Sequence, residues 1–225
     1  MNKTFPLASL YTALAFSCAV PVTVQAADRD DALRANYWAV QGGPNHLSSW
    51  PGEVNFGGPR SDASLTLASG ATVGLVLGRQ IGKARYDLEY QHGQLDITAV
   101  RIAALSENVD SRLKYDTLTV NASRQLRLSE SLLLFAGAGV GVGRVNLPTI
   151  GLTVAKCKCI TSASETGAVV QLRIGMDYQL DDNRVAYLQL GATRLPGASS
   201  GALPTITYAR RDVATMAVGY RGLFN

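Results

Sequence analysis

The chain has 225 residues, of which 17% are charged, and its formal net charge at pH 7 is +4. This weak, scattered positive charge disfavours nucleic acid as a partner. Beyond the N-terminal region, no apolar run approaches the roughly 20 residues of a membrane-spanning helix, which argues against a helical membrane protein.

The first 26 residues have the pattern of a secretory signal peptide. Lys3 supplies the positive start, residues 7–20 are apolar, and the stretch that ends at Ala26 fits the small-residue cleavage pattern. We expect cleavage after Ala26. The mature chain, residues 27–225, is long enough for one domain.

The mature chain contains eight segments in which apolar and polar or small residues alternate with a period of two. This is the period of a β-strand, whose side chains point to opposite faces in turn. The eight segments are NYWAVQGG (36–43), SGATVGLVLGRQ (69–80), ARYDLEYQ (84–91), YDTLTVNAS (115–123), LLLFAGAGVGVGRV (132–145), VQLRIGMDYQL (170–180), AYLQLGA (186–192) and ATMAVGYRGLF (214–224). Each is about as long as a membrane-spanning strand.

The connections between these segments alternate between long and short. The long ones are about 44–68, 95–114, 146–167 and 195–206, and the short ones lie near 81–83, 127–131 and 181–183. Long loops at one end and tight turns at the other are typical of an outer-membrane barrel. The pattern predicts an all-β fold, an eight-stranded antiparallel up-and-down transmembrane β-barrel.

A soluble up-and-down barrel, such as a lipocalin-like carrier, would show the same alternation. Its solvated outer face would be rich in Lys and Glu, whereas the polar face here is mostly Gly, Thr, Ser and Gln with charges of both signs. Such a face suits a confined lumen. The composition therefore favours the membrane barrel, with its apolar face toward lipid.

Six polar side chains are predicted to form a network in the lumen. Charges removed from bulk water must be paired or hydrated. An eight-stranded barrel has a lumen that side chains fill, so a closed polar core is favoured over the alternative of a selective pore lining. The predicted residues are Arg85, Asp87, Glu89, Gln171, Arg173 and Asp177.

Four glycines alternate along the fifth segment, at Gly137, Gly139, Gly141 and Gly143. They do not match the G-x-G-x-x-G dinucleotide-binding fingerprint. On a strand they form one bare face, and we expect it to clear volume in the lumen for large inward side chains, above all Arg173. An alternative is that they only permit strong curvature.

The chain resembles the small eight-stranded outer-membrane barrels of the opacity and attachment-protein kind. The matching stretches are YWAVQGG, RYDLEYQHG, LFAGAGVGVGR and VATMAVGYRGLF. Members of this family usually end on an aromatic residue that the barrel-assembly machinery reads, and Tyr220 and Phe224 match that signal here. The resemblance implies adhesion, envelope integrity, serum resistance or small-solute passage.

A membrane-embedded lipid hydrolase would need a Ser/His pair with an orienting acid. His92 with Ser106 or Ser111 and Glu89 could supply these groups, but no G-x-S-x-G motif is present. We therefore expect a non-enzymatic protein with no catalytic residues. His92 is then a polar residue at the membrane interface.

Cys157 and Cys159 flank Lys158 in the third long connection. Two cysteines without neighbouring His or Asp are too few for a zinc site, and redox pairs normally have two residues between the cysteines. We predict a small disulfide within the loop, with pairing to another chain as the alternative. We expect no metal and no cofactor.

The sequence thus predicts an exported protein of the bacterial outer membrane that acts through its surface loops. The expected partners are outer-membrane lipids, lipopolysaccharide, the barrel-assembly machinery and a host or envelope ligand. Arg210 and Arg211, with Lys156 and Lys158, could meet the phosphates of lipopolysaccharide. A channel for small solutes is the alternative, and the sequence does not name the ligand.

Overall fold

The computed structural model describes residues 34–152, 157–200 and 204–224, with the side chains of 152–160 left out. The predicted signal peptide and its cleavage site lie outside these residues. Every regular element within them is a β-strand. Among the described residues, no helix is long and apolar enough to cross a membrane.

Eight strands form a closed antiparallel ring, as the alternating pattern predicts. They are β1 (Arg34–His46), β4 (Gly70–Ile81), β5 (Ala84–Ile102), β6 (Leu105–Arg127), β7 (Leu132–Leu147), β10 (Ala163–Asp181), β11 (Arg184–Leu195) and β14 (Arg211–Phe224). Each pairs with the next in this order, and β14 returns to β1, where Val40 lies opposite Tyr220. Closure leaves no unpaired strand edge, which is what a sheet needs to cross lipid.

Six further strands lie in the connections between the ring strands. They are β2 (Ser49–Asn55), β3 (Arg60–Leu67), β8 (Ile150–Leu152), β9 (Cys157–Ile160), β12 (Ala198–Ser199) and β13 (Thr205–Tyr208). β3 pairs with the upper part of β5, and β2, β13 and β12 follow in turn. The three short turns lie at the end of the ring opposite these six strands. The start of β1 and the end of β14 lie at the same end as the short turns.

The long connections are therefore largely folded, rather than irregular loops as the sequence predicts. Residues 95–114 are the top of the β5–β6 hairpin, in which Ile102 pairs with Leu105. Inward positions there are apolar, and together with β2, β3 and β13 they enclose a core that includes Trp50, Leu65 and Leu95. We call this folded outer region the cap.

The two faces of the ring are arranged as predicted. Along β10, for example, Leu172 and Ile174 are 59% and 57% exposed, whereas Arg173 between them is 6% exposed. The outward apolar side chains form a continuous belt around the lower ring. Its aliphatic members include Val73, Leu75, Leu77, Leu88, Val120, Val140, Val142, Leu172, Ile174, Leu190, Met216 and Val218.

Candidate functional site: the closed lumen

The lower lumen is lined by polar and charged side chains from most of the ring strands. Every second residue of each strand points inward. These groups are therefore buried inside the ring, although the barrel wall is a single sheet. The buried charged residues at this level are Arg85, Asp87, Glu89, Arg173, Asp177 and Arg221. They form two connected clusters.

The first cluster is centred on Asp177 of β10. Its Oδ2 accepts hydrogen bonds from Arg85 Nη1 at 2.7 Å, from Arg221 Nη1 at 2.9 Å and from Gln125 Nε2 at 3.1 Å. Asp177 is only 1% exposed. One carboxylate thus joins strands β5, β6, β10 and β14 across the lumen.

The second cluster is centred on Arg173. Its guanidinium bridges two carboxylates, with Nη2 2.5 Å from Asp87 Oδ2 and Nη1 3.1 Å from Glu89 Oε2. Asp87 also accepts hydrogen bonds from Tyr37 Oη at 2.7 Å and from Asn121 Nδ2 at 2.9 Å. These contacts join β5 and β10, which are three positions apart in the ring, to β1 and β6.

The charges of the lumen balance, because three arginines face three carboxylates. Pairing of this kind is what burial of charge requires. Aromatic rings also pack against the arginines in the lumen. Arg85 lies over the ring of Phe135 at 4.5 Å, and Arg221 lies 4.8 Å from the ring centre of Tyr187, both within cation–π range.

Little space remains between these groups. A cavity of about 10 Å³ lies among Tyr37, Arg85, Arg173 and Arg221, which is about the smallest space that holds one water molecule. Among the described residues, the Nε atoms of the three arginines have no protein partner. A water molecule in this cavity could bridge them, but the space is far too small for a continuous pore.

A second, apolar seal lies above the charged level. Tyr115 is fully buried, with its hydroxyl accepting a hydrogen bond from Asn45 Nδ2 at 2.9 Å. From this level outward the interior is the core of the cap. Its fully buried members include Trp50, Val54, Leu95, Leu113, Val145, Leu195 and Val213. The path along the barrel axis is thus blocked by an ion-pair layer and then by packed hydrocarbon.

The structure brings all six predicted lumen residues together. Gln171 lies beside Glu89, to which its Nε2 donates at 3.4 Å. Sequence reasoning missed several partners, chiefly Arg221, Gln125 and the inward tyrosines. The alternation of β14 does place Arg221 on the inward face, so its signal was present, but nothing in the sequence indicates that Asp177 is its partner.

The bare strand lies between β6 and β10, and Gly137 is opposite Arg173 of β10. A Cβ built on Gly139 would collide with the side-chain amide of Asn121, and one on Gly141 with the backbone carbonyl of Leu118. On Gly137 it would lie 2.5 Å from Ser123 Cβ, and on Gly143 2.5 Å from Val169 Cγ2 of β10. The nearest obstacles thus lie in β6 at three of the glycines and in β10 at Gly143, and the clearance of volume for Arg173 stays a prediction.

The groups considered for hydrolysis are separated by the strand geometry. His92 faces outward, and its Nδ1 lies 2.8 Å from Asp116 Oδ1, which also accepts from Tyr90 Oη. Glu89 faces the lumen and is 1% exposed. Ser111 pairs with Ile97 and Ser106 with Arg101, both further toward the hairpin tip.

Other predicted residues lie at the two ends of the molecule. Tyr220 packs against Trp38 with ring centres 5.7 Å apart, and Phe224 is half exposed at the end of β14. Arg210 is exposed on the cap, while Arg211 donates from Nε to Ser49 O at 3.1 Å.

Part of the third connection falls outside the described residues. Lys156 lies among residues 153–156 there, and β9 carries Cys157, Lys158 and Cys159, whose side chains are also not described. The predicted disulfide stays a prediction.

Comparison with known proteins indicates the fold. No protein-family model matches the chain, and no curated protein matches it either. Among solved structures, the outer membrane protein OprG from Pseudomonas aeruginosa is similar with a TM-score of 0.60 and 14% identity, over 85% of this chain and 97% of OprG.

Two other solved structures have lower TM-scores. Neisserial surface protein A is similar with a TM-score of 0.49 and 13% identity, over 83% of this chain and 97% of that one. The outer membrane protease OmpT from Escherichia coli is similar with a TM-score of 0.46 and 9% identity, over 84% of this chain and 97% of OmpT. The closed ring and the likeness to OprG define the chain as a small eight-stranded barrel of the outer-membrane type.

Proposed function

We propose that the protein is a closed, non-enzymatic barrel of the bacterial outer membrane that acts through the outer surface of its cap and upper wall. The observation that carries this proposal is the doubly sealed interior, with the Asp177 and Arg173 clusters below and the apolar cap core above. A barrel filled in this way leaves its outward surface as the place where partners can bind.

The apolar belt supports a membrane location. Outward residues such as Val140 and Val218 are more than 60% exposed, and a contiguous belt of this kind would be costly in water. Aromatic side chains lie near the short-turn end of the belt, as in the girdles of outer-membrane barrels. These are Trp38, Tyr86, Tyr178, Tyr220 and Phe224. The soluble-barrel alternative gives this belt no role.

The channel alternative has less support. Solute passage would require the pairs around Arg173 and Asp177 to separate, which would leave charges buried without partners. It would also require the core around Trp50 and Leu65 to open. The remaining space beside the arginines, about 10 Å³, is far below the size of a solute.

Lipopolysaccharide is the partner that the outer wall fits best. Three cations lie outward on β6 and β7 beyond the apolar belt, and we call them the cationic band: Arg112, Lys114 and Arg144. Arg112 pairs with Asp96 at 2.9 Å, and the outward Asp116 lies opposite Arg144. Lys114 lies opposite Asn146, and Arg144 follows Val142 of the belt by two positions. This level corresponds to the outer membrane–water interface, where the phosphates of lipopolysaccharide lie, and guanidinium and ammonium groups bind phosphate well.

The test is binding of purified lipopolysaccharide to the folded protein in detergent. Lys114→Gln combined with Arg144→Gln should weaken the affinity about thirtyfold, since each cation near an anionic lipid surface contributes about 1 kcal/mol. Arg60→Gln is the matched control, because Arg60 pairs with Glu53 at the tip of the cap. Equal affinities of the wild type and the double variant would contradict a role for the cationic band.

A further inference from the structure

A groove interrupts the apolar belt at the short-turn end of the barrel. It has a volume of about 540 Å³ and lies on the outward face between the β4–β5 turn, β6 and β7. Small residues create it, since Ala84, Ala122 and Ala136 occupy neighbouring outward positions on three strands. Its lining residues are Ile81, Lys83, Ala84, Tyr86, Ala122, Ser123, Arg124 and Ala136.

The groove carries positive charge although it faces lipid. Arg124 projects outward between Ala84 and Ala136 in the cross-strand register, and Lys83 lies in the adjoining turn. Of the lining residues that the structure describes, none is a carboxylate. Among the described residues, no carboxylate lies within ion-pair distance of Arg124. An arginine on the lipid face of a barrel is costly near the midplane and tolerable near the interface, where a headgroup can pair with it.

The position of Arg124 matches the interface of the periplasmic leaflet. It lies in the row of Ala84, the first residue after the β4–β5 turn, and one row from Tyr86, which is 53% exposed in the aromatic girdle. Arg79 of β4 lies opposite Tyr86 and is also exposed. Cations with long apolar stems at this depth can reach the phosphate level.

We propose that this groove binds one anionic phospholipid of the periplasmic leaflet. Its phosphate pairs with Arg124, and the upper part of an acyl chain lies over Ala84, Ala122 and Ala136. The charge of the groove and its shallow apolar floor match these two parts of the ligand. This inference rests on the proposed membrane location, but it does not depend on lipopolysaccharide binding or on a closed lumen.

The test uses the full mature protein, refolded in detergent, with phosphatidylglycerol as the probe and native mass spectrometry as the readout. The wild type should retain one phosphatidylglycerol in preference to phosphatidylcholine. Arg124→Gln should weaken this binding about fivefold. Ala136→Leu, which fills the groove and leaves the charges in place, should weaken it as well.

Arg184→Gln is the matched control, because Arg184 lies at a different short turn, 3.6 Å from Asp181, and it should retain the lipid. The folded state of each variant is checked by its migration in SDS without boiling. Equal retention in the wild type, Arg124→Gln and Ala136→Leu would overturn the inference, as would a groove that binds only a second copy of this chain in cross-linking. Failure of the wild type to insert into liposomes would instead overturn the proposed membrane location.

Discussion

Asp177 is the residue on which the lower lumen depends most. Among the described residues it is the one carboxylate paired with Arg85 and Arg221, and both salt bridges are almost completely buried. Removing one partner of a buried ion pair leaves an uncompensated charge, which typically costs 3–5 kcal/mol. We therefore expect Asp177→Asn to lower the free energy of unfolding by about 3–5 kcal/mol in urea titrations of the protein in detergent.

Asp181→Asn is the control for this prediction. Asp181 lies four residues further along the same strand, but its pair with Arg184 is exposed. Exposed pairs contribute about 0–1 kcal/mol, so this variant should unfold nearly as the wild type does. Equal effects of the two substitutions would show that the buried cluster is not what stabilises the barrel.

The glycines of β7 offer a second test at the same scale. A Cβ on Gly139 meets the side chain of Asn121, whereas one on Gly141 meets the backbone of β6. Overpacking costs about 1–3 kcal/mol, so both glycine-to-alanine variants should be destabilised. Asn121→Ala should recover part of the loss for Gly139→Ala, because contacting residues couple.

Neither Asn121→Ala nor Arg173→Ala should recover the loss for Gly141→Ala, because the obstacle there is backbone. Ala138→Leu, on the lipid face of the same strand, should be nearly neutral and serves as the control. Recovery of Gly141→Ala by Arg173→Ala, measured in a double-mutant cycle of unfolding free energies, would support the expectation that Arg173 occupies that space.

Arg194 and Asp212 form an exposed pair at the outer ends of β11 and β14. Arg194 Nη2 donates to Asp212 Oδ2 at 2.7 Å, and this holds the pKa of the Asp212 carboxyl below its usual value. Any stabilisation from this pair is present above the unfolded pKa of the carboxyl and is lost as the pH falls through the lower folded value. In an NMR titration, Arg194→Gln should raise the pKa of Asp212, and an unchanged pKa would contradict the pairing.

At the scale of elements, the cap is the feature that distinguishes this barrel from a simple ring with loops. Leu65 of β3 is 1% exposed within the cap core, and Leu→Ala changes at such sites cost about 2–5 kcal/mol. We expect Leu65→Ala to loosen the cap while the ring stays folded. Trypsin added to intact cells should then cleave near Arg60 faster, with SDS resistance retained.

Phe56→Ala is the comparison for the cap prediction, because Phe56 is 56% exposed beside the β2–β3 turn. It should leave the cleavage rate almost unchanged. If Leu65→Ala instead abolishes SDS resistance, the cap and the ring unfold as one unit and are not energetically separable.

The ring could be predicted from the sequence because its inward and outward positions keep a strict period of two. The cap could not, because its added strands are short and the long strand β5 changes its inward phase within the cap. In the lower part of β5 the odd-numbered residues point inward. A register shift between Ile97 and Ala99 reverses this, so that Val100 and Ile102 point inward instead. The sequence therefore predicts loops in the long connections, whereas the structure has strands there.

The lumen residues were predictable for the same reason, but their pairing was not. The alternation predicts that Arg173 and Glu89 point inward. It does not indicate which strands face each other across the lumen. That choice depends on ring closure and on strand register, which a single sequence does not specify. The same limit applies to the glycines of β7, because a single sequence does not show that Gly137 lies between Ser123 of β6 and Arg173 of β10.

At the scale of the whole molecule, the apolar belt should tolerate charge poorly. Val218 is 61% exposed on the outward face of β14. Lysine near the midplane of a bilayer costs about 2–4 kcal/mol in outer-membrane barrels, so Val218→Lys should lower the unfolding free energy in liposomes by that amount. Phe56→Lys, on the cap, should have little effect, and equal tolerance of both would contradict a lipid-facing belt.

Conductance of the wild-type protein in planar lipid bilayers tests the closed barrel most directly. With the lumen filled by the Arg173 and Asp177 clusters and covered by the cap core, we predict that inserted protein gives no current steps above the lipid background. Insertion is verified in the same bilayer by adding trypsin and recovering the protected ring. Reproducible ohmic steps from verified insertions would contradict the account.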